Sequence, residues 1–371
     1  MTESKPSEPS SLRLKAFTLG VIVAVLFATL WPFNPIPRNH VDWIPGRNGL
    51  RFTVPGIVTA SVPIEMARNG ITDSCTVELW VRPTDILQGA VILGFYSAEN
   101  PRQLEFRQWT DGLLVTHEIR SRHYQLISTK FDVDHAFHTE QWVLITTVFQ
   151  PSGTTVYLNG RSSHFFSRFR ISPRDVSGQI VLGNSSVDYA PWSGKIRGLE
   201  IYATGLTAKD AWMHYQDWGE TNRIGTHSTT LISPYPHLFG AMVRYDFNEG
   251  GGSKIYNEIG SPPDLEIPAA FNIPHKPRLR SVTDDFAPNW SYAGDLAVNV
   301  LGFVPLGILL CRCWRRSKGK KQSVVYTILI GAALSLTIEL LQFYVPRRNS
   351  GMTDIMTNAL GTWLGAWLSQ T

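Results

Sequence analysis

The sequence predicts a multidomain membrane protein. It combines an all-α bundle of four transmembrane helices with an extracytoplasmic all-β jelly-roll sandwich, inserted between helices 1 and 2. Three observations predict it. Four apolar stretches lie at the two ends of the 371-residue chain. Between the first and second of them the texture changes to short alternating strands broken by turn residues. A dense basic cluster separates the second from the third. The mean hydropathy of −0.07 hides this division, because it averages a polar middle with apolar ends.

Residues 1–13 are rich in Ser, Pro, Glu and Lys and read as a disordered cytoplasmic tail. Residues 14–36 read as helix 1, with Trp31 and Phe33 at the interface level where amphipathic aromatics collect. No small-x-small cleavage site follows, so the stretch reads as a retained anchor and not as a signal peptide. Residues 292–313, 323–344 and 353–369 read as helices 2, 3 and 4. A spanning helix needs roughly 17–25 mostly apolar residues, which these lengths meet.

Residues 314–322 read as a short basic loop. Arg312, Arg315, Arg316, Lys318, Lys320 and Lys321 cluster there without an acid, and without them the rest of the chain is net acidic despite the overall charge of +4. The basic balance is therefore a topology signal and not a nucleic-acid footprint. Short basic loops stay cytoplasmic, which puts both chain ends on the cytoplasmic side of the plasma membrane and residues 41–290 on the extracytoplasmic side. Cys75 is alone in the outer part, so no disulfide framework is expected. Cys311 and Cys313 lack His or Cys partners and read as apolar filler, not as a metal site.

Residues 41–280 read as the sandwich. Strands are expected at 75–83, 90–97, 104–109, 112–119, 141–149, 154–160, 178–183 and 194–202, with turn chemistry at 150–153 and 158–161. A short helix is expected at 206–218, capped by Thr207 with Asp210 in its first turn.

The membrane part carries polar residues where they are costly. Asp295 and Asn299 are spaced i, i+4, as are Asp354 and Asn358, while Glu339 and Gln342 are i, i+3. Each pair shares one helix face. By the topology above all three pairs lie at the outer end of their helices, beside Arg347 and Arg348. The expected binding pocket is thus Asp295, Asn299, Glu339, Gln342, Arg347, Arg348, Asp354 and Asn358. Glu339 and Asp354 are the candidate acid/base groups, if there is catalysis. The same residues also fit a plainer role, as hydrogen-bonded ties between helices, with Gly361 and Gly365 permitting close approach.

Two resemblances rest on quoted residues. CTVELWVRP, QWVLITTVFQPSGTTVYLNGR and WSGKIRGLEIYATGLTAKD resemble the laminin-G-like, concanavalin-like sandwich. RYDFNEGGGSKIYNEIG is similar to the first strands of such domains but comes last here, so the order reads as a circular permutation. GDLAVNVLGFVPLGILL and SLTIELLQFYVPRRNSGMTDIMTNALGTWLG resemble the VanZ-like family over residues 292–369. That resemblance implies a four-helix membrane domain, and its namesake is associated with glycopeptide resistance at the bacterial envelope. It implies no reaction.

Two functions remain open. The first is binding of an envelope lipid, glycan or glycopeptide antibiotic, with membrane lipids and a glycan or cell-wall component as partners. The second is a membrane enzyme acting on a lipid-linked precursor. Binding is favoured, since no nucleophile motif, nucleotide loop or metal set is present. No cofactor is expected beyond calcium in the sandwich, where Asp188 beside Asn184 is the hint. Trp109, His117 and Tyr124 are the candidate glycan contacts.

Overall fold

In the computed structural model, residues 9–66, 73–120, 126–224, 240–286 and 289–370 are described. The chain divides into two units, residues 37–275 and a helical unit made of residues 1–36 with 276–371.

The strands of the first unit are β1 (Val41–Trp43), β2 (Leu50–Phe52), β3 (Val58–Ala60), β4 (Cys75–Pro83), β5 (Gly89–Tyr96), β6 (Leu104–Trp109), β7 (Gly112–Arg120), β8 (Leu126–Val133), β9 (Val143–Gln150), β10 (Gly153–Leu158), β11 (Arg161–Phe166), β12 (Gln179–Leu182), β13 (Gly194–Tyr202), β14 (Ala241–Tyr245), β15 (Lys254–Ile255) and β16 (Leu265–Glu266). Among the described residues they form two eight-stranded antiparallel sheets. One runs β1-β2-β13-β4-β9-β10-β11, with β14 also on β13, and the other runs β15-β16-β3-β12-β5-β6-β7-β8. Inward residues of both sheets, among them Phe52, Leu79, Phe95, Phe106, Ile145 and Leu199, form one buried core. This alternation of inward apolar and outward polar residues is what a sandwich requires.

The late segment lies beside the early one. β16 pairs with β3, the Gly49 N–H donates to Phe247 O at 2.8 Å, and Trp43 Nε1 donates to Gly252 O at 2.8 Å. The permuted order needs this adjacency.

Helix α2 (Ala208–Ile224) begins at a reciprocal cap. The Thr207 N–H donates to Asp210 Oδ2 at 2.8 Å, and the Asp210 N–H donates to Thr207 Oγ1 at 3.3 Å.

The helical unit holds α1 (Pro9–Leu30), α3 (Val282–Asp285), α4 (Trp290–Lys318), α5 (Lys320–Phe343) and α6 (Met352–Leu368). Three of these are long and apolar enough to cross a membrane, over Leu12–Leu30, Trp290–Arg315 and Lys320–Phe343. The fourth, α6, has 17 residues. A small core of Phe303, Leu306, Leu310 and Ile338 receives Val21, Ile22, Val25 and Leu26 of α1.

Three sequence expectations change. The expected tail of residues 1–13 is already helix from Pro9, while residues 1–8 lie outside the described residues. The expected loop at 314–322 is almost absent. α4 continues to Lys318 because Arg and Lys are good helix formers, and Gly319, at φ +73°, is the one residue between α4 and α5. The sandwich ends earlier than residue 280. Lys276 and Arg280 join the helical unit, where the Lys276 ammonium donates to carbonyls ending α5 and the Arg280 N–H donates to Ser350 O at 2.9 Å.

Candidate functional site

The polar residues of the helical unit meet backbone groups that helix ends leave unpaired. A helix ends with carbonyls that lack an intrahelical donor, and begins with N–H groups that lack an acceptor. In a bilayer each such group must find a partner within the protein. Gln342 Nε2 donates to Thr29 O at 3.0 Å, and Arg348 Nη2 donates to Trp31 O at 2.8 Å, so both serve the C-terminal end of α1. Lys276 Nζ donates to Gln342 O, Phe343 O and Val345 O at 3.2, 2.8 and 2.6 Å, serving the end of α5. Burial, with the nearby Arg280 charge, lowers this ammonium to about 8. Glu339 Oε2 accepts from the Gly351 N–H at 2.9 Å, at the position that opens α6.

Two further contacts tie helices side by side. Asn299 Nδ2 donates to Asp354 Oδ1 at 2.8 Å, joining α4 to α6. Asn358 Nδ2 donates to Ser335 Oγ at 2.9 Å, joining α6 to α5. Glu339, Gln342 and Asn358 are buried, Asn299, Arg348 and Asp354 half-buried, and Asp295 and Arg347 exposed. The structure thus places six of the eight predicted residues in ties between helices or at helix ends. Lys276 was missed, because nothing near it in sequence announces that it reaches α5.

In the sandwich, strand register aligns a second polar set. Arg244, Glu200, Glu78 and Thr146 stand directly opposite one another across β14, β13, β4 and β9. Like charges in opposite positions repel. Arg244 Nε lies 3.3 Å from Glu200 Oε1, and the Tyr202 hydroxyl donates to Glu200. Thr146 Oγ1 donates to Glu78 Oε1 at 2.6 Å, while His214 Nδ1 of α2 lies 2.7 Å from Glu78 Oε2. The ligand atoms of Glu78, Glu200 and His214 fall within 4.8 Å of one another, which is metal-ligand spacing. Both carboxylates are nonetheless engaged by these donors, so the set reads as a closed polar network that docks α2 on the sheet.

The network makes stability depend on pH. Burial alone would lower His214, but the Glu78 hydrogen bond and charge outweigh it and raise the imidazole from 6.5 to about 8. A raised histidine contributes stability below its unfolded value that is lost as pH rises through its folded value. The sandwich is therefore expected to lose on the order of 1–2 kcal/mol between about pH 6.5 and pH 8.5. Denaturant midpoints across that range check this, and His214→Gln should flatten the profile.

Of the sequence-predicted glycan contacts, Trp109 is exposed and its ring lies over Gly89. His117 is buried against Phe169 and within 3.3 Å of Asp175, a core position. Tyr124 lies outside the described residues. Of the two suggested calcium ligands, Asn184 Oδ1 accepts from the Ala190 N–H at 2.9 Å and Asp188 pairs with Arg102. Among the described residues, cavities open on the sandwich. One, of about 430 Å³, is lined by Asp85, Gln88, Gly89 and Tyr189. Another, of about 190 Å³, is lined by His135, His138, Gln141, Trp142 and Asn159.

Comparison with known proteins agrees with this division. Residues 256–371 match the family model described as VanZ/LLP1, and residues 58–211 match the model of the Concanavalin A-like lectin/glucanases superfamily. No curated protein matches the chain. Among solved structures, the chain is similar to a protein from Bacteroides ovatus ATCC 8483 whose assignment as carbohydrate-binding is itself provisional. Identity is 14% and the TM-score 0.39, over 61% of each chain. It is also similar to the receptor binding domain of botulinum neurotoxin D, at 14% identity and a TM-score of 0.36, over 49% of this chain and 47% of that one. The match spans about three-fifths of the first of these proteins and about half of the second.

Proposed function

From a chain that joins a VanZ-like segment to a concanavalin-like sandwich, we propose a membrane-anchored glycan-binding protein of the bacterial cell envelope. In this reading α1, α4, α5 and α6 form a transmembrane bundle with both chain ends in the cytoplasm. The sandwich, inserted between the first and second of them, stands outside. The observation that carries the reading is the position of a lectin-type domain in the chain between two helices able to span a membrane.

The polar residues of the helical unit then hold the bundle together. In this reading Arg347, exposed in the segment between α5 and α6, contacts lipid phosphate. A glycopeptide antibiotic, a peptide that carries sugars, would enter this reading only through its sugar substituents. Acid/base chemistry by Glu339 and Asp354 gains no specific support, because both carboxylates accept hydrogen bonds that order α6.

Accessibility tests the arrangement. In a variant free of Cys75, Cys311 and Cys313, a membrane-impermeant maleimide should label Lys254→Cys in intact cells and label Lys318→Cys only after permeabilisation. The reverse pattern would overturn the topology.

A further inference from the structure

We propose that the glycan is anionic, and that its acid groups lie along a cationic row on the outer face of the first sheet, leading to Trp142. This rests on the glycan-binding reading and adds the ligand's charge and its place on the sandwich.

The row follows from register. Lys195 on β13 stands directly opposite Arg51 on β2 on one side and Arg82 on β4 on the other. Neighbouring strands lie about 4.8 Å apart, so the three cations span roughly 10 Å in a straight line. Their neighbours in sequence, Phe52, Ile196 and Val81, are buried in the core, which turns the three cations outward.

A fourth cation is held by a special feature of the backbone. Register shifts between Ile196 and Gly198, so Arg197 is the extra residue of a β-bulge. Bulges re-aim a side chain. Here the Arg197 guanidinium sits 4.1 Å from the Trp142 ring centroid, a cation–π contact. Its stem packs against Gly49, where a Cβ would meet Arg197 Cγ at 3.1 Å and Ile196 O at 2.8 Å. Burial and the nearby charges of Arg47 and Arg82 hold Arg197 down at about 10. Strand register thus crowds like charge on this face, and an anion relieves it. Glu140 offsets part of it, pairing with Arg82 and lying 3.8 Å from Lys195 Nζ. Asp42, opposite Arg51, is a second acid at the far end of the row.

The row ends at a cavity. Trp142, on which Arg197 stacks, also lines the 190 Å³ cavity with His135, His138, Gln141 and Asn159. Charged groups spaced across a sheet face, followed by a polar recess with an aromatic wall, fit a polymer with acid groups and sugar hydroxyls. A neutral glycan would leave the cationic row unused. A lipid surface would not need the recess.

The test uses the intact protein in zwitterionic nanodiscs, titrated with polygalacturonate and with its methyl ester, which has the same sugars without the charge. The acid polymer should bind at least about tenfold more tightly, with affinity falling as salt rises. Arg51→Ser with Lys195→Ser should lose about tenfold while the unfolding midpoint stays unchanged, and Glu140→Gln should gain severalfold. Equal binding of acid and ester, unaffected by these variants, would overturn the anionic row and leave glycan binding standing. Failure of both polymers to bind would overturn the row as well. Equal affinity for inorganic polyphosphate would show a site for charge alone and overturn the glycan assignment. Binding of phosphatidylglycerol vesicles that is lost in the double variant would reassign the row to lipid.

Discussion

Gly365→Leu is expected to prevent the helical unit from assembling. α4 and α6 approach so closely that a Cβ on Gly365 would meet Val304 O at 2.1 Å, and one on Gly361 would meet Val300 O at 2.1 Å. From the other side, a Cβ on Gly307 would meet Thr362 O at 2.3 Å. The obstructing atoms are backbone, so no rotamer change makes room. Small residues at such positions let helices pack where no hydrophobic force drives them together. Overpacking a tight site costs typically 1–3 kcal/mol, and a clash with helix backbone belongs at or above about 3 kcal/mol. Size-exclusion profiles and thermal midpoints in detergent should show aggregation or strong destabilisation. Gly302→Leu, on the partner helix α4, is the control, because a Cβ there meets nothing within 4 Å. Equal behaviour of the two variants would contradict the packing account.

Glu339→Ala is expected to destabilise the protein, and Glu339→Gln is not. The alanine leaves the buried Gly351 N–H without its acceptor, at a cost of about 1–3 kcal/mol, more if no water reaches it. Glutamine keeps an oxygen that accepts the same bond. Amide exchange at residues 350–352 would report the local loss, and thermal midpoints the global one. The pair separates two roles for the carboxylate. A glutamine variant with native stability and no activity would restore Glu339 as an acid or base. Native behaviour of both would remove it from the account of the helix ends.

The sandwich was legible in the sequence where strands are long and interior. Cys75–Pro83, Leu104–Trp109 and Gly194–Tyr202 are strands at the residues where alternation and turn signals place them. β8 and β11, like the short β3, escaped notice. β11 is an edge strand whose residues are mostly exposed, and its sequence, RSSHFF, shows no apolar alternation. The basic segment after Cys313 reads as a loop because it separates two apolar stretches, yet charge at a helix end is compatible with helix.

The outer polar residues could be listed from spacing, but their partners could not. Which helix end lies beside Gln342 or Arg348 is decided by packing between segments more than 300 residues apart in the chain. The row of Arg51, Lys195 and Arg82 was hidden for the same reason. Its three strands are far apart in sequence and become neighbours only through sheet order.

The central claim is that the sandwich binds a glycan while the helices hold it at the membrane. Its most direct test is a titration of the intact protein, in nanodiscs, with purified soluble fragments of cell-wall glycan, read by calorimetry. Saturable binding that is lost in Trp192→Ala, which removes a fully buried core ring of the sandwich, is the expected result. Binding that persists in that variant after its sandwich has unfolded, or no saturable binding to any fraction, would contradict it.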